Sequence, residues 1–129
     1  MYFIQSHGAP AFLEQAIPNL FTENFVKSNK EKIDSLIRDA AYLNQETLCH
    51  NYEAMIGRPS RIDLLENTSK PVGFIIGSQD KAVPVKDSLI QCQIPKKSYI
   101  QFLSGSAHMG MMENPLETAT FLEWFLQET

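Results

Sequence analysis

The sequence has little of what marks membrane, secreted or metal-binding proteins. Its longest uninterrupted apolar runs are four or five residues, which excludes a membrane-spanning helix. The opening segment Met1–Gln5 has no basic region and no long apolar stretch, so it does not resemble a signal peptide. There are only two cysteines, Cys49 and Cys92, without CxxC spacing, and we expect both to be reduced, buried thiols. A cytoplasmic location is therefore the default expectation.

Concentrated positive charge and clustered metal ligands are also lacking. The 129 residues include 11 basic and 15 acidic side chains, and the only adjacent cations are Lys96–Lys97. Nucleic-acid binding needs a positive face, so nucleic acid is excluded as a partner. No His, Cys and carboxylate cluster has ligand spacing, so no metal or other cofactor is expected. A hydrophobic share of 43% favours a globular chain with a core of its own.

The chain is predicted to be helical over residues 1–68. One helix begins at Pro10, a second follows a capping box over Ser28–Glu31, and a third runs from the cap Asn44 to Gly57. The apolar residues that recur at helical spacing are Phe12, Leu13, Ala16, Ile17, Ile33, Leu36, Ile37, Ala40, Leu48, Tyr52, Met55 and Ile56.

The pattern changes to strand, helix, strand, helix over residues 69–129. Two short apolar runs, Pro71–Gly77 and Ser98–Leu103, are predicted strands, with a short helix beginning at Pro84 between them. Asn114–Glu117 begins the last helix, whose buried side is predicted to contain Ala119, Leu122 and Phe125. Strands joined through a helix pair in parallel with a right-handed crossover. Parallel sheets usually have more than two strands, so this sheet is expected to be incomplete.

Two loops follow the carboxyl ends of these strands, where open α/β sheets place their functional sites. Asp80 lies in the first loop and His108 in the second, so the side chains should emerge next to each other. An aspartate facing a histidine fixes the imidazole tautomer and stabilises the imidazolium that forms when the ring accepts a proton. Each residue also has a simpler interpretation: Asp80 as a turn residue that bonds its own backbone, and His108 as a solvated loop histidine.

The two loops resemble the acid loop and the histidine loop of the α/β-hydrolase superfamily. The first has the G-x-x-D pattern over Gly77–Asp80 followed by Val83–Pro84, and the second spans Gly105–Gly110. Glu113–Pro115 resembles the segment through which the histidine loop enters the last helix of the superfamily. The helical first part is similar to the helical cap of ester- and lactone-hydrolase-like members, including its segments Ile17–Phe21 and Met55–Pro59.

The resemblance implies an α/β fold, with a helical cap over residues 1–68 and the C-terminal part of a hydrolase core over residues 69–129. It also implies a parent activity, hydrolysis of a small ester, lactone or similar acyl substrate by a Ser-His-Asp triad. In that triad His108 is the general base and Asp80 orients it.

The sequence departs from the superfamily at the nucleophile. None of its six glycines begins the G-x-S-x-G elbow, and the oxyanion-hole loop is also missing, so the N-terminal half of the fold is expected to be absent. The isolated chain is then expected to be inactive, and its parent could use an aspartate nucleophile instead of a serine. The nearby Ser78, Ser104 and Ser106 are interpreted as small loop residues. Met109 could line a substrate pocket beside the histidine, although packing is the simpler role.

A different class of function stays open alongside the hydrolase. The chain could be a non-catalytic interaction module that forms a homo-oligomer through the exposed edge of the strand Val72–Ile76.

Overall fold

The computed structural model describes residues 2–128. Within this range the chain forms two compact units. The first unit contains the residues up to 19 together with residues 23–59, and the second contains residues 20–22 together with the residues from 60 onward. Among the described residues, no helix is both long enough and apolar enough to cross a membrane.

The first unit is built from four helices, α1 (Tyr2–Ala16), α2 (Glu23–Ser28), α3 (Lys30–Ala40) and α4 (Gln45–Gly57). Helix α1 is interrupted at Gly8, whose φ of 83° lies in the left-handed region that glycine tolerates. The core of the unit lies mainly between α1 and α4. Its buried members are Ile4, Ala9, Leu13, Leu48 and Cys49.

Two sequence predictions for this unit need correction. The capping box over Ser28–Glu31 is wrong, because Ser28 ends α2 and the amide of Asn29 donates to the carbonyl of Phe25 at 3.1 Å instead of capping α3. The last turn of α4 is not a core face: Met55 and Ile56 are exposed, since the buried residues of α4 lie in its first half.

The Asn44 cap of α4 is confirmed. Its side-chain oxygen accepts the backbone N–H of Thr47 at 2.8 Å, which satisfies one of the free donors at the start of the helix. The same helix ends at Gly57, as the sequence predicts.

The second unit contains α5 (Ile62–Asn67), β1 (Val72–Gly77), α6 (Val85–Cys92), β2 (Ser98–Leu103), α7 (Gly110–Glu113) and α8 (Pro115–Glu128). The strands β1 and β2 pair in parallel, with Val72 opposite Ser98 and Gly77 opposite Leu103. Both predicted strands and their parallel pairing are therefore confirmed. Because the last residues of the two strands are paired, both strands end at the same end of the sheet, and the loops that follow them start side by side.

The buried side of α8 differs from its prediction. Ala119 is exposed and Leu122 is 45% exposed, whereas Thr118 and Phe121 are buried. A threonine can occupy the buried side because its hydroxyl donates to the carbonyl of Asn114 at 2.9 Å and is thereby satisfied. Phe125, the third predicted residue, is half-buried with its ring centroid 5.8 Å from that of Tyr99, so the prediction is one position off only at Ala119 and Leu122.

The two cysteines are buried and form no disulfide, as predicted. Burial raises the pKa of the Cys92 thiol, which keeps it in the protonated and unreactive form. Cys49 belongs to the core of the first unit, where it packs as a small apolar residue.

Candidate active site

The first loop of the site is a turn organised by the carboxylate of Asp80. Its Oδ1 accepts the backbone N–H groups of Ala82 and Val83 at 2.8 and 2.9 Å. Its Oδ2 lies 2.9 Å from Nδ1 of His108. The turn-forming interpretation of Asp80 is therefore correct, but it accounts for only one of the two carboxylate oxygens.

The two loops are joined to each other by hydrogen bonds that backbone N–H groups donate. The N–H of Gln79 donates to the carbonyl of Ser106 at 2.8 Å, and the N–H of Gly105 donates to Oγ of Ser78 at 2.8 Å. Gly77 comes so close that a Cβ placed there would lie 2.0 Å from the carbonyl oxygen of Ala107. These contacts fix the distance between the loops without using either site residue.

The backbone of the histidine loop is held from a second side by three consecutive N–H groups. The N–H groups of His108 and Met109 donate to the carbonyl of Leu20 at 3.0 and 3.2 Å. The N–H of Ala107 donates to Oε2 of Glu113 at 2.6 Å. All of these residues belong to the second unit. No sequence pattern indicates these roles of Leu20 and Glu113.

The electrostatics of the pair favour an ionised aspartate. Burial acts to raise the pKa of Asp80, but the hydrogen bonds from Val83, His108 and Ala82 outweigh it and leave that pKa below its ordinary value. An ionised carboxylate only accepts hydrogen bonds, so Nδ1 of His108 carries a proton toward it. In the neutral ring Nε2 then holds the lone pair, as a general base requires.

The side chains of Asp80 and His108 differ in exposure, and both border a small cavity. The Asp80 side chain is 11% exposed, and that of His108 is 39% exposed. A cavity of about 240 Å³ lies beside them and has a mostly apolar lining that includes Ile75, Val83 and Met111. Met109, for which pocket lining is the alternative to packing, is not among the lining residues of this cavity. The arrangement joins a shielded anion, an accessible imidazole and an apolar recess.

The other candidate residues have structural partners or lie elsewhere. Ser106 is 2% exposed, and Ser78 links the two loops, in agreement with their interpretation as loop residues. His7 stacks on Phe3 with the ring centroids 4.5 Å apart. Over residues 2–128 there is no group of three or more His, Cys, Asp or Glu side chains that could hold a metal ion.

Solved structures provide the comparison for this arrangement. An esterase from Thermogutta terrifontis is 20% identical and superposes with a TM-score of 0.86, covering 98% of this chain and 47% of the esterase. An enol-lactonase from Burkholderia xenovorans is 17% identical with a TM-score of 0.84, covering 98% and 48% of the two chains. An esterase from Rhodococcus is 18% identical with a TM-score of 0.75, covering 93% and 42%.

The comparisons extend over most of this chain but only part of each solved protein. The chain spans about half the length of these structures or slightly less. No protein-family model matches the sequence, and no curated protein sequence gives a significant match. The solved proteins share the α/β-hydrolase fold. The chain therefore has the fold of part of an α/β-hydrolase, with the Asp80 and His108 loops at the ends of its two parallel strands.

Proposed function

We propose that Asp80 and His108 are the acid and the general base of a hydrolytic triad. The observation that carries the proposal is the 2.9 Å contact between Oδ2 of Asp80 and Nδ1 of His108 at the ends of adjacent parallel strands. The hydrogen bonds from Gln79 to Ser106 and from Gly105 to Ser78 also hold the two loops together, which supports a fixed position of the pair.

The chemistry follows from the orientation of the ring. Nε2 of His108 accepts the proton of a nucleophile as that nucleophile attacks the acyl carbon, and later returns a proton to the leaving group. Asp80 keeps the proton on Nδ1 and stabilises the imidazolium while it exists. The low pKa of Asp80 supports this role, since the carboxylate stays charged when the ring becomes a cation.

The nucleophile of this scheme lies outside the 129 residues. The sequence has no G-x-S-x-G segment. Ser106 is 2% exposed, and Oγ of Ser78 accepts the N–H of Gly105. The proposed parent protein supplies that group and the oxyanion donors from the part of the fold that this chain does not span. A serine is the first candidate, and an aspartate is the alternative.

Small esters or lactones are the proposed substrates of the complete protein. Two of the solved structures above are named as esterases and one as an enol-lactonase, and their acyl substrates support this class. The apolar lining of the cavity beside His108 suits the hydrocarbon part of such a substrate. A cap role for residues 1–68 and a cytoplasmic location stay predictions.

Hydrolysis assays with the isolated chain test the proposal. We expect no turnover of short p-nitrophenyl esters above background, because the missing nucleophile removes the triad as a unit and missing oxyanion donors cost a further factor of about 10² to 10³. Steady hydrolysis that disappears in His108→Ala would show that a nucleophile exists within these residues. A longer reading frame with a G-x-S-x-G segment should instead give a hydrolase that both His108→Ala and Asp80→Asn inactivate.

The second candidate function is a non-catalytic interaction module. It is favoured by strand β1, which pairs only with β2 within residues 2–128, and by Ile75, which is 38% exposed on that strand. An open strand edge can pair with another chain, so self-association through β1 is the proposed mode. A coding sequence without any hydrolase nucleophile segment would favour this function over hydrolysis.

A further inference from the structure

We infer that Glu113 is a positioning residue that holds the histidine loop in the conformation required for the contact between His108 and Asp80. This inference rests on the proposed function, because it describes how the general base of that function is kept in place. Glu113 touches neither His108 nor Asp80 in the hydrogen bonds of the site, and its effect is transmitted through the backbone.

The carboxylate of Glu113 bridges two separate stretches of chain. Its Oε1 accepts the N–H of Thr22 at 2.8 Å, and its Oε2 accepts the N–H of Ala107 at 2.6 Å. Thr22 and Ala107 are 85 residues apart in the sequence, so the side chain connects segments that have no local reason to meet. Both bonds have a charged acceptor, which makes them stronger than bonds between neutral groups.

The bridge holds two segments that contact His108: the residue before it in the loop, and the short segment that accepts its N–H. Ala107, held by Glu113, directly precedes His108, whose own N–H donates to the carbonyl of Leu20 at 3.0 Å. Leu20 lies two residues before Thr22, the other residue that Glu113 holds. Glu113 thereby fixes both the loop and the short segment that accepts the His108 N–H. If the bridge is lost, the backbone of His108 loses support from the loop and from its acceptor together.

Two backbone N–H groups donate to this side chain, so it needs two acceptor oxygens. A glutamate provides both, whereas a glutamine does not. A glutamine has one oxygen and one NH₂ group, so at least one of the two backbone N–H groups would face another donor. Glu113→Gln should therefore remove about half of the bridge, and Glu113→Ala should remove all of it. The two variants form a graded series. The glutamine variant has a side chain of nearly the same size as the wild-type glutamate.

Nuclear magnetic resonance of the isolated chain tests the inference without any assay of hydrolysis. The hydrogen bond from His108 lowers the pKa of Asp80, so the pKa of Asp80 reports whether the ring is still in place. In Glu113→Ala the pKa of Asp80, followed through its side-chain carboxyl carbon, should rise from the wild-type value. The His108 N–H should exchange with solvent at least about tenfold faster, although its acceptor is Leu20 and not the mutated residue. Glu113→Gln should lie between the two for both quantities.

Glu117→Ala is the matched control. Glu117 lies in the first turn of α8, and its Oε2 accepts a long 3.4 Å hydrogen bond from Nε2 of Gln101 on β2. This variant removes a negative charge four residues after Glu113 without removing the bridge. The pKa of Asp80 and the exchange rate of the His108 N–H should match those of the wild type.

Two results would overturn the inference. One is a wild-type pKa of Asp80 and a wild-type exchange rate of His108 in folded Glu113→Ala, or in Glu113→Gln if the alanine variant does not fold. The other is an equal rise of the Asp80 pKa together with equally fast His108 N–H exchange in Glu117→Ala, which would show that neither change depends on the bridge. Because these measurements do not involve turnover, failure of Glu113 as a positioning residue and failure of the hydrolytic proposal give separate results.

Discussion

The two oxygens of Asp80 have different tasks, and this division determines how the residue responds to substitution. Oδ1 holds the turn through Ala82 and Val83, and Oδ2 faces His108. An asparagine can keep the first task through its remaining oxygen but turns a donor toward the imidazole. Asp80→Asn is therefore a substitution that removes the charge and the acceptor facing His108 while preserving the loop.

Acid should weaken the second unit through Asp80. Its pKa is lower in the folded chain than the ordinary aspartate value, so its contribution to stability is present above the ordinary pKa and is lost as the pH falls through the folded pKa. At pH 7 we expect Asp80→Asn to lower the free energy of unfolding by about 1–2 kcal/mol, and this difference should shrink on acidification.

Urea unfolding at a series of pH values, followed by the fluorescence of Trp124, measures this difference in the unit that contains the site. Trp124 is the only tryptophan and lies on α8. A difference between wild type and Asp80→Asn that stays constant from neutral pH down to pH values below the folded pKa would contradict the assignment of the low pKa to Asp80.

At the level of elements, the last residue of β1, Gly77, packs closely against the backbone of the histidine loop. A Cβ at Gly77 would lie 2.0 Å from the carbonyl oxygen of Ala107 and 2.7 Å from that of Ser106. Both atoms belong to the backbone and cannot rotate away. We expect Gly77→Ala to destabilise the second unit by at least about 2 kcal/mol, because the histidine loop must move as a whole.

Gly73→Ala is the control within the same strand. A Cβ there would lie 3.2 Å from the ring of Phe125, a side chain that can adjust by a few tenths of an ångström. Its cost in denaturant unfolding should be clearly smaller than that of Gly77→Ala. Equal costs would show that the close approach of the histidine loop is not what requires glycine at Gly77.

Sequence patterns predicted the strands of the second unit better than they predicted which residues of α8 are buried. The strands and the juxtaposition of Asp80 with His108 followed from two apolar runs joined through a helix, a local and strongly constrained pattern. The buried face of α8 was predicted wrongly, since a threonine satisfied by the carbonyl of Asn114 replaces an apolar residue there. Hydrophobic periodicity cannot register such a hydrogen bond.

Sequence patterns did not predict the contacts of Glu113 that hold the histidine loop. The four-residue helix α7 is too short to show a period. The sequence pattern places Glu113, at the end of α7, only at the entry to the last helix, because its partner Thr22 lies 91 residues away. Long-range contacts of a side chain with backbone N–H groups leave no spacing signal in one sequence.

On the scale of the whole molecule, self-association is the remaining prediction. Strand β1 has β2 on one side and no strand on the other within residues 2–128, and Ile75 is partly exposed there. Two-fold pairing of this edge would place two copies of β1 antiparallel to each other. We expect light scattering at micromolar concentration to give about twice the 14.6 kDa chain mass.

Substitution at the strand distinguishes this mode from others. Ile75→Lys places a charge at the proposed contact and should return the protein to the monomer mass, while Tyr42→Lys, at a side chain that is 92% exposed in the first unit, should leave the dimer intact. A folded wild-type monomer at these concentrations would rule out the prediction. A dimer that persists in folded Ile75→Lys would place the contact elsewhere.

The stretch from Gly77 to Glu113 has a consequence for how such a site is inherited. It contains the proposed acid and base, the bonds between their loops and the Glu113 carboxylate in one uninterrupted run of chain. A single recombination event can therefore transfer this run, whereas Leu20 and Thr22, which bond to it, and the nucleophile of an α/β-hydrolase are encoded at a distance from it. Lineages that exchange or lose gene segments should keep or lose Asp80, His108 and Glu113 together, and comparison of their genes can follow this linkage independently of activity.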